Sequence, residues 1–363
     1  MKEILSDIDR WVARGERVAL ARVVDIAGSG PRLPGAAMAV SELGEVAGSV
    51  SGGCVEGAVV TEALEVLADD SRRMVTFGYS DDDAFAVGLT CGGTVHLFIE
   101  PLDTAMHEML SAAIRDDRPV CMATVVAGPL TGSKVLLDRD GAASGAISDP
   151  DLHRVVVRDA LGELTAGRTG VRHYGEHGEA GTEDVTVFIE SFAPSPRMLV
   201  FGAVDFTGAL VRVAKVLGYR VTVCDAREVF ATRARFPQAD EVVVDWPNRL
   251  LDRIGADLGP RDAVCVLTHD HKFDVPAILA ALRTDVGYLG AMGSRRTSDE
   301  RLERLRAEDV DLDELDRRLH APIGLDLGAR TPEETAVAIA AEIIAERTGR
   351  RAGSLRAGDG PIH

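Results

Sequence analysis

The pattern of apolar and polar positions divides the chain into two regimes. In the first half, short strand-like runs alternate with hairpin turns and single helical stretches. Residues 18–24 form an apolar run. Residues 37–51 read as a hairpin turning at Leu43-Gly44, residues 55–67 carry a helical period, and residues 95–100 read as a further strand. Beyond Pro196 the pattern changes. Continuous apolar runs at 198–201, 220–224, 241–244, 262–267 and 288–292 are separated by helical stretches, including 206–217 and 294–307. Uninterrupted apolar strands between helices suit a parallel sheet covered on both faces.

The first half also resembles itself. Residues 16–24 resemble 117–126. Each segment continues through a Gly-containing loop into a hairpin (43–48 and 140–145), a helix (55–67 and 152–161) and a closing strand (95–100 and 185–190). The pairing drifts from Val18/Val120 to Ile99/Ile189, so the second copy carries deletions. They fall on the turns. Ser51-Gly52-Gly53-Cys54 is answered by Ser148-Asp149-Pro150-Asp151, and Thr90-Cys91-Gly92-Gly93 by an acidic Gly-containing loop.

The expected fold is α/β. It comprises an N-terminal α+β domain with a degenerate internal repeat (residues 1–193, halves about 1–103 and 104–193) and a Rossmann-type parallel sheet (197–347). A flexible tail follows (348–363). Pro194 and Pro196 mark the boundary. The last helix is expected to start at Thr331 as N-cap, with Pro332 at the first helical position and Glu334 completing a capping box, and to run to about Ile344 or beyond. Residues 346–363, charged and Gly-rich, are expected to fray.

Composition narrows the function classes. A net charge of −18 disfavours nucleic acid and anionic membranes as partners. No run approaches the roughly 20 apolar residues of a membrane span. The acidic amphipathic start lacks the apolar core of a signal peptide, so a cytoplasmic location is expected. The five cysteines are widely spaced and contain no C-x-x-C pair, against both a disulfide framework and a cysteine-only zinc site.

Cys54 is the principal candidate for chemistry. Gly52 and Gly53 permit positive φ and a close approach of backbone to ligand, and the thiol falls at a helix start, where free N–H groups and the dipole favour a thiolate or an incoming anion. Glu56 follows immediately. The alternative is a buried structural cysteine in a strand-to-helix turn. The second copy keeps the strands without this turn, which weighs against that alternative. Cys91, also beside two glycines, is a second candidate, whereas Cys224 and Cys265 lie in apolar strands and read as core.

In an open parallel sheet the site lies beyond the carboxyl ends of the strands. The residues there are Gly202, Asp225, Asp245, His269, Asp270, His271, Ser294, Arg295 and Arg296. Asp225, about 20 residues after Gly202, stands where a dinucleotide fold places its ribose acid. The glycine fingerprint is broken, however: Val204 occupies the close-approach position and Thr207 the third. Arg295 and Arg296 at a helix start suit an anion, or are simply solvated. His269 and His271 flank Asp270 and would share one face in extended backbone, although a metal there needs further ligands. The apolar loop 320–329 is expected to fold over the strand ends or to make an intersubunit contact.

Taken together, several stretches resemble the XdhC/CoxI family, accessory factors of xanthine dehydrogenase and related molybdenum hydroxylases. They are Gly28-Ser29-Gly30-Pro31-Arg32-Leu33-Pro34-Gly35-Ala36, residues 48–57 around Ser-Gly-Gly-Cys, Cys91-Gly92-Gly93, Thr268-His269-Asp270-His271, Gly293-Ser294-Arg295-Arg296 and His320-Ala321-Pro322-Ile323-Gly324. They span nearly the whole chain in the family's order. The resemblance implies a Ser-Gly-Gly-Cys domain joined to a Rossmann-type domain. It also implies binding of molybdenum cofactor, support of its sulfuration with a cysteine desulfurase, and delivery to an apo molybdenum hydroxylase, with the protein acting as a homodimer. On this reading the chain is a cofactor-binding chaperone rather than a catalyst. Cys54 contacts the cofactor's molybdenum or sulfur, and Arg32, Ser51, Gly52, Gly53 and Cys91 surround it. Arg295, Arg296 and their helix start take the pterin phosphate or nucleotide. A xanthine dehydrogenase label does not fit the residues, which show no iron–sulfur cysteine pattern and leave no room for a large molybdopterin domain. One departure stands out: the family's Gly-Ala-Gly-His is here Gly202-Ala203-Val204-Asp205, which puts NAD(P) binding in doubt. Two alternatives remain open. One is an NAD(P)-dependent oxidoreductase with Asp225 on the ribose and His269 or His271 handling a proton. The other is an interaction module with an empty crevice.

Overall fold

A computed structural model describes residues 1–28, 32–78, 93–308 and 310–357. Cys91 and the Ser29–Pro31 part of the first glycine motif lie outside them. The chain divides into two compact units, Met1–Pro194 and Ser195–His363.

The first unit contains the same arrangement twice. Its first half runs α1 (Leu5–Ala13), β1 (Val18–Ala27), β2 (Ala37–Ser41), β3 (Val46–Gly48), α2 (Glu56–Asp69), β4 (Arg73–Gly78) and β5 (Thr94–Pro101). Its second runs α3 (Thr104–Arg115), β6 (Val120–Ala127), β7 (Lys134–Asp138), β8 (Ala143–Ala146), α4 (Pro150–Ala166), β9 (Gly170–Tyr174) and β10 (Val185–Phe192). The strand orders are β3-β2-β1-β5-β4 and β8-β7-β6-β10-β9, which is one topology repeated. β1 reads as a continuous apolar run because both faces are covered: Val18 and Leu20 pack under α1, while Ala19, Ala21 and Val23 pack under α2. Even the irregularity recurs. The β1–β5 register skips Val24 and the β10–β6 register skips Val126, a bulge at equivalent positions. These two valines meet Phe98 and Phe188 in one small buried cluster.

Beside that cluster the two halves share a buried charge group. Arg22, 2% exposed, donates to Glu100 and Glu190 at 2.5 Å each and to Thr124 Oγ1 at 3.4 Å. Lys134 Nζ lies 2.8 Å from Glu100. Thr124 occupies the position of Arg22 in the second copy, and Glu190 that of Glu100. Two buried carboxylates facing one guanidinium and one ammonium are mutually compensating, as burial of charge requires.

The second unit is a six-stranded parallel sheet, β11 (Arg197–Phe201), β12 (Arg220–Asp225), β13 (Glu241–Val244), β14 (Ala263–Val266), β15 (Tyr288–Ala291) and β16 (Leu319–His320). The order is β13-β12-β11-β14-β15-β16. Counted from β11 this is the 3-2-1-4-5-6 order of the Rossmann fold, with its topological switch between β11 and β14. α5 (Asp205–Val216) and α10 (Pro332–Thr348) cover one face. α6 (Pro247–Ile254), α7 (His271–Leu282), α8 (Arg295–Arg306) and α9 (Leu312–Arg318) supply the other. α10 begins with the expected capping box, Thr331 with Glu334. It continues beyond Ile344 to Thr348, where Gly349 ends it at φ 66°. Residues 346–348 are therefore helical rather than frayed, because the helix stops at a left-handed glycine.

Candidate functional site

β3 ends at Gly48, and the chain then turns through residues 49–55 into α2. Gly52 and Gly53 have φ of 83° and 120°, and a Cβ on either would meet nothing within 4 Å. The turn is open on the side of the two glycines, and Cys54 is half-exposed. Its organiser is Glu56. That carboxylate accepts from Ser49 Oγ at 2.6 Å, Ser51 N at 2.9 Å, Ser51 Oγ at 2.5 Å, Gly53 N at 2.9 Å and Val55 N at 3.2 Å. Ser51 Oγ in turn accepts from Cys54 N at 3.0 Å and Val55 N at 3.1 Å. Burial alone would raise the Glu56 carboxyl, but hydrogen bonds from Ser49, Ser51 and the backbone hold it down at about 2. Glu56 is thus a fixed anion that shapes the loop presenting Cys54.

A cleft of about 350 Å³ shares Ser49 with this turn and is also lined by Arg32, Ala36, residues 1–4 and residues 191–193. Arg32 is exposed there and makes no ion pair among the described residues. The other described cysteines are different. Cys121, Cys224 and Cys265 are fully buried, and desolvation pushes the thiols of Cys121 and Cys224 up to about 12.

In the second unit Gly202, Asp225, His269, Asp270, His271, Ser294, Arg295 and Arg296 all lie at the carboxyl edge of the sheet, as parallel topology requires. Their partners decide what they can do. Asp225, buried, accepts from Ala203 N at 2.8 Å and from Arg227 through N at 2.9 Å, Nε at 2.9 Å and Nη2 at 2.7 Å. Burial would raise its carboxyl; Arg227 and the two backbone N–H groups hold it below the usual range. The acid in the ribose position is therefore already engaged by its own chain. Gly202, at φ 113°, lies so close to the chain leaving β14 that a Cβ would be 2.8 Å from Thr268 Cγ2.

Asp270 is the N-cap of α7, accepting from Lys272 N at 3.2 Å. Helix starts at His271, so the extended backbone that would align the two imidazoles ends between them. Both histidines are exposed. Among the described residues no group of three or more metal-ligating side chains converges. Ser294 caps α8, accepting from Thr297 N at 3.1 Å, and Arg295 and Arg296 are exposed at its first turn. The loop from His320 folds back on the sheet and α10: Ile323 N donates to Ala291 O at 3.0 Å and Gly324 N to Glu342 Oε2 at 2.7 Å. Tyr288 Oη donates to the same oxygen at 2.5 Å.

Sequence reasoning missed Arg227, Asp274, Arg301, Tyr288 and Glu342. Asp274 and Arg301, both 2% exposed, form an ion pair at 2.8 Å, and Thr268 Oγ1 also donates to Asp274. Burial pushes the Asp274 carboxyl up to about 6 against the pull of Arg301. The available signal was charge inside apolar helical stripes: Asp274 shares its face with Ala277, Ile278 and Ala281, and Arg301 shares its face with Leu305.

The XdhC Rossmann domain profile matches residues 198–343, and the XdhC and CoxI family profile matches residues 11–78 and 113–175. The chain is 26% identical over 343 residues to a Bacillus subtilis protein named as a probable xanthine dehydrogenase subunit, covering 94% of this chain and 96% of that one. It is 27% identical over 333 residues to the molybdenum cofactor insertion chaperone PaoD of Escherichia coli, covering 92% and 84%. A crystal structure of a xanthine dehydrogenase from Bacillus halodurans matches with a TM-score of 0.65 at 25% identity, covering 97% of this chain and 98% of that one.

Proposed function

Because the chain belongs to the XdhC/CoxI family, we propose that it is a maturation factor for a molybdenum hydroxylase of the xanthine dehydrogenase type. It binds molybdenum cofactor as cargo, supports its sulfuration with a cysteine desulfurase, and delivers it to the apo-hydroxylase, working as a homodimer. The relative named as a molybdenum cofactor insertion chaperone, aligned over 92% of this chain, supports the role. The observation that carries the reading is the Cys54 turn. A half-exposed thiol is presented beside two open glycines in a loop closed by five hydrogen bonds to Glu56, in a repeat whose second copy lacks the turn. A soft thiolate suits molybdenum or sulfur. The adjoining cleft, with Arg32 exposed on it, has the volume of a small-molecule site. Arg295 and Arg296 at the α8 start supply positive charge for the phosphate or nucleotide end of the cargo.

The test is mass spectrometry of ligands released from protein purified under reducing, anaerobic conditions from cells making molybdenum cofactor. A molybdenum-containing pterin is expected. Release of a nicotinamide dinucleotide instead would overturn the reading in favour of an oxidoreductase, and an empty protein would favour an interaction module.

A further inference from the structure

We propose that the start of α8 is a phosphate-binding site whose buried donors are Ser298 and Arg301. This deepens the role given above to Arg295 and Arg296, and it rests on that reading only for the identity of the phosphate carrier.

Three observations support it. First, Ser298 Oγ and Arg301 Nη1 are buried donors with no hydrogen-bond partner among the described residues, on residues each 2% exposed. A buried donor left unpaired loses its hydration without compensation, so two together on one helix face point to an acceptor. Second, Ser298 is the fourth residue of α8 and Arg301 the seventh. They are three residues apart, hence on one face, and side chains on a helix lean toward its N-terminus. Ser298 Oγ lies 3.5 Å from where a Cβ on Gly293 would be, and Arg301 Nη2 donates to Met292 O at 2.8 Å. The donors therefore press against the Met292-Gly293 turn that feeds the helix. Third, the charge is right. Asp274 engages Arg301 through Nη2 at 2.8 Å, which fixes the guanidinium and leaves Nη1 free. Arg295 is exposed at the first helical position with no ion pair among the described residues, and the first-turn N–H groups have no intrahelical acceptor.

Two other helix starts at this edge are unsuited. α5 opens on Val204, which has no capping group, and on Asp205 with its side chain 92% exposed. α7 opens on the Asp270 carboxylate. Both place negative charge where a phosphate would lie.

The experiment is calorimetric titration of the full chain at low salt with inorganic phosphate, inorganic pyrophosphate, adenosine 5′-monophosphate and the pterin cofactor. Pyrophosphate binding is expected, weakened about tenfold by Ser298→Ala, which removes one hydrogen bond to a charged ligand and little volume, and also weakened by Arg295→Gln. Asp205→Asn should not weaken it. Arg301→Met strands Asp274 and is informative only if circular dichroism shows it folded; Ser298→Ala carries the test if it does not. Competition by the pterin cofactor would identify the carrier as cargo, and competition by the nucleotide alone would identify it as a nucleotide. In the latter case the site stands and the cargo role of Arg295 and Arg296 falls. No binding of any probe at millimolar concentration, or unchanged affinity in Ser298→Ala, would overturn the proposal.

Discussion

At the scale of single residues, the backbone of the Cys54 turn was legible because glycines announce an unusual conformation, and Gly52 and Gly53 do adopt positive φ. The task of Glu56 was not legible. A carboxylate beside a thiol reads equally as an acid–base group or as a scaffold, and only loop closure reveals its five hydrogen bonds. That task has a pH signature. Its carboxyl is held at about 2 against an ordinary 4.5, so its folded-state pKa is depressed. The stability it contributes is complete above about pH 4.5 and is lost as pH falls toward 2. Thermal melts of wild type and Glu56→Gln should therefore differ most above pH 5 and converge as pH drops through that window. A difference that stays constant to pH 2.5 would contradict the account. Asp225 illustrates the opposite limit. Its position was read correctly, yet its availability depended on Arg227, whose side chain returns two residues along the chain to occupy it.

At the scale of elements, the two copies in the first unit differ where function is proposed. α4 starts conventionally, on an Asp149 side chain accepting from Asp151 N and Leu152 N with Pro150 in the first turn. α2 starts on Val55 with no side-chain cap, its loop held instead from within by Glu56. An ordinary cap is worth about 1 kcal/mol, and the first copy forgoes one in presenting its cysteine. The strands read from sequence carried a continuous apolar run or lay in a glycine-turned hairpin. β4 and β9 have neither: β4 alternates half-buried and exposed positions, and β9 buries only Tyr174. The shared charge group was invisible too, since Arg22, Glu100 and Glu190 come from three distant strands. Replacing Arg22 by Ala would leave two carboxylates buried without their guanidinium. It should destabilise the first unit by about 3–5 kcal/mol, measured by denaturant unfolding. A loss below about 1 kcal/mol would show that the cluster is hydrated and dispensable.

At the scale of the whole molecule, the Rossmann-type parallel sheet was legible from five apolar runs and their helices, whereas its strand order and the short sixth strand came only from the structure; the fold alone does not confer dinucleotide binding. Val204 stands at the close-approach position, packed against the core, and Asp225 is engaged by Arg227 and Ala203. Calorimetric titration with NAD or NADP should give no low-micromolar affinity; such an affinity would restore the oxidoreductase reading. No helix among the described residues is long and apolar enough to cross a membrane.

The central claim, that the Cys54 turn serves cofactor delivery, is tested most directly by Cys54→Ala. The partner hydroxylase would be co-expressed with wild type or variant, and its activity measured alongside the variant's melting temperature and bound molybdenum cofactor. The second copy folds without this cysteine, and a Cβ at the neighbouring glycines would meet open space, so the melting temperature should be nearly unchanged. Cofactor content and hydroxylase activity should both collapse. A folded variant that still delivers cofactor in full would remove Cys54 from the mechanism, and an unfolded one would return it to a structural role.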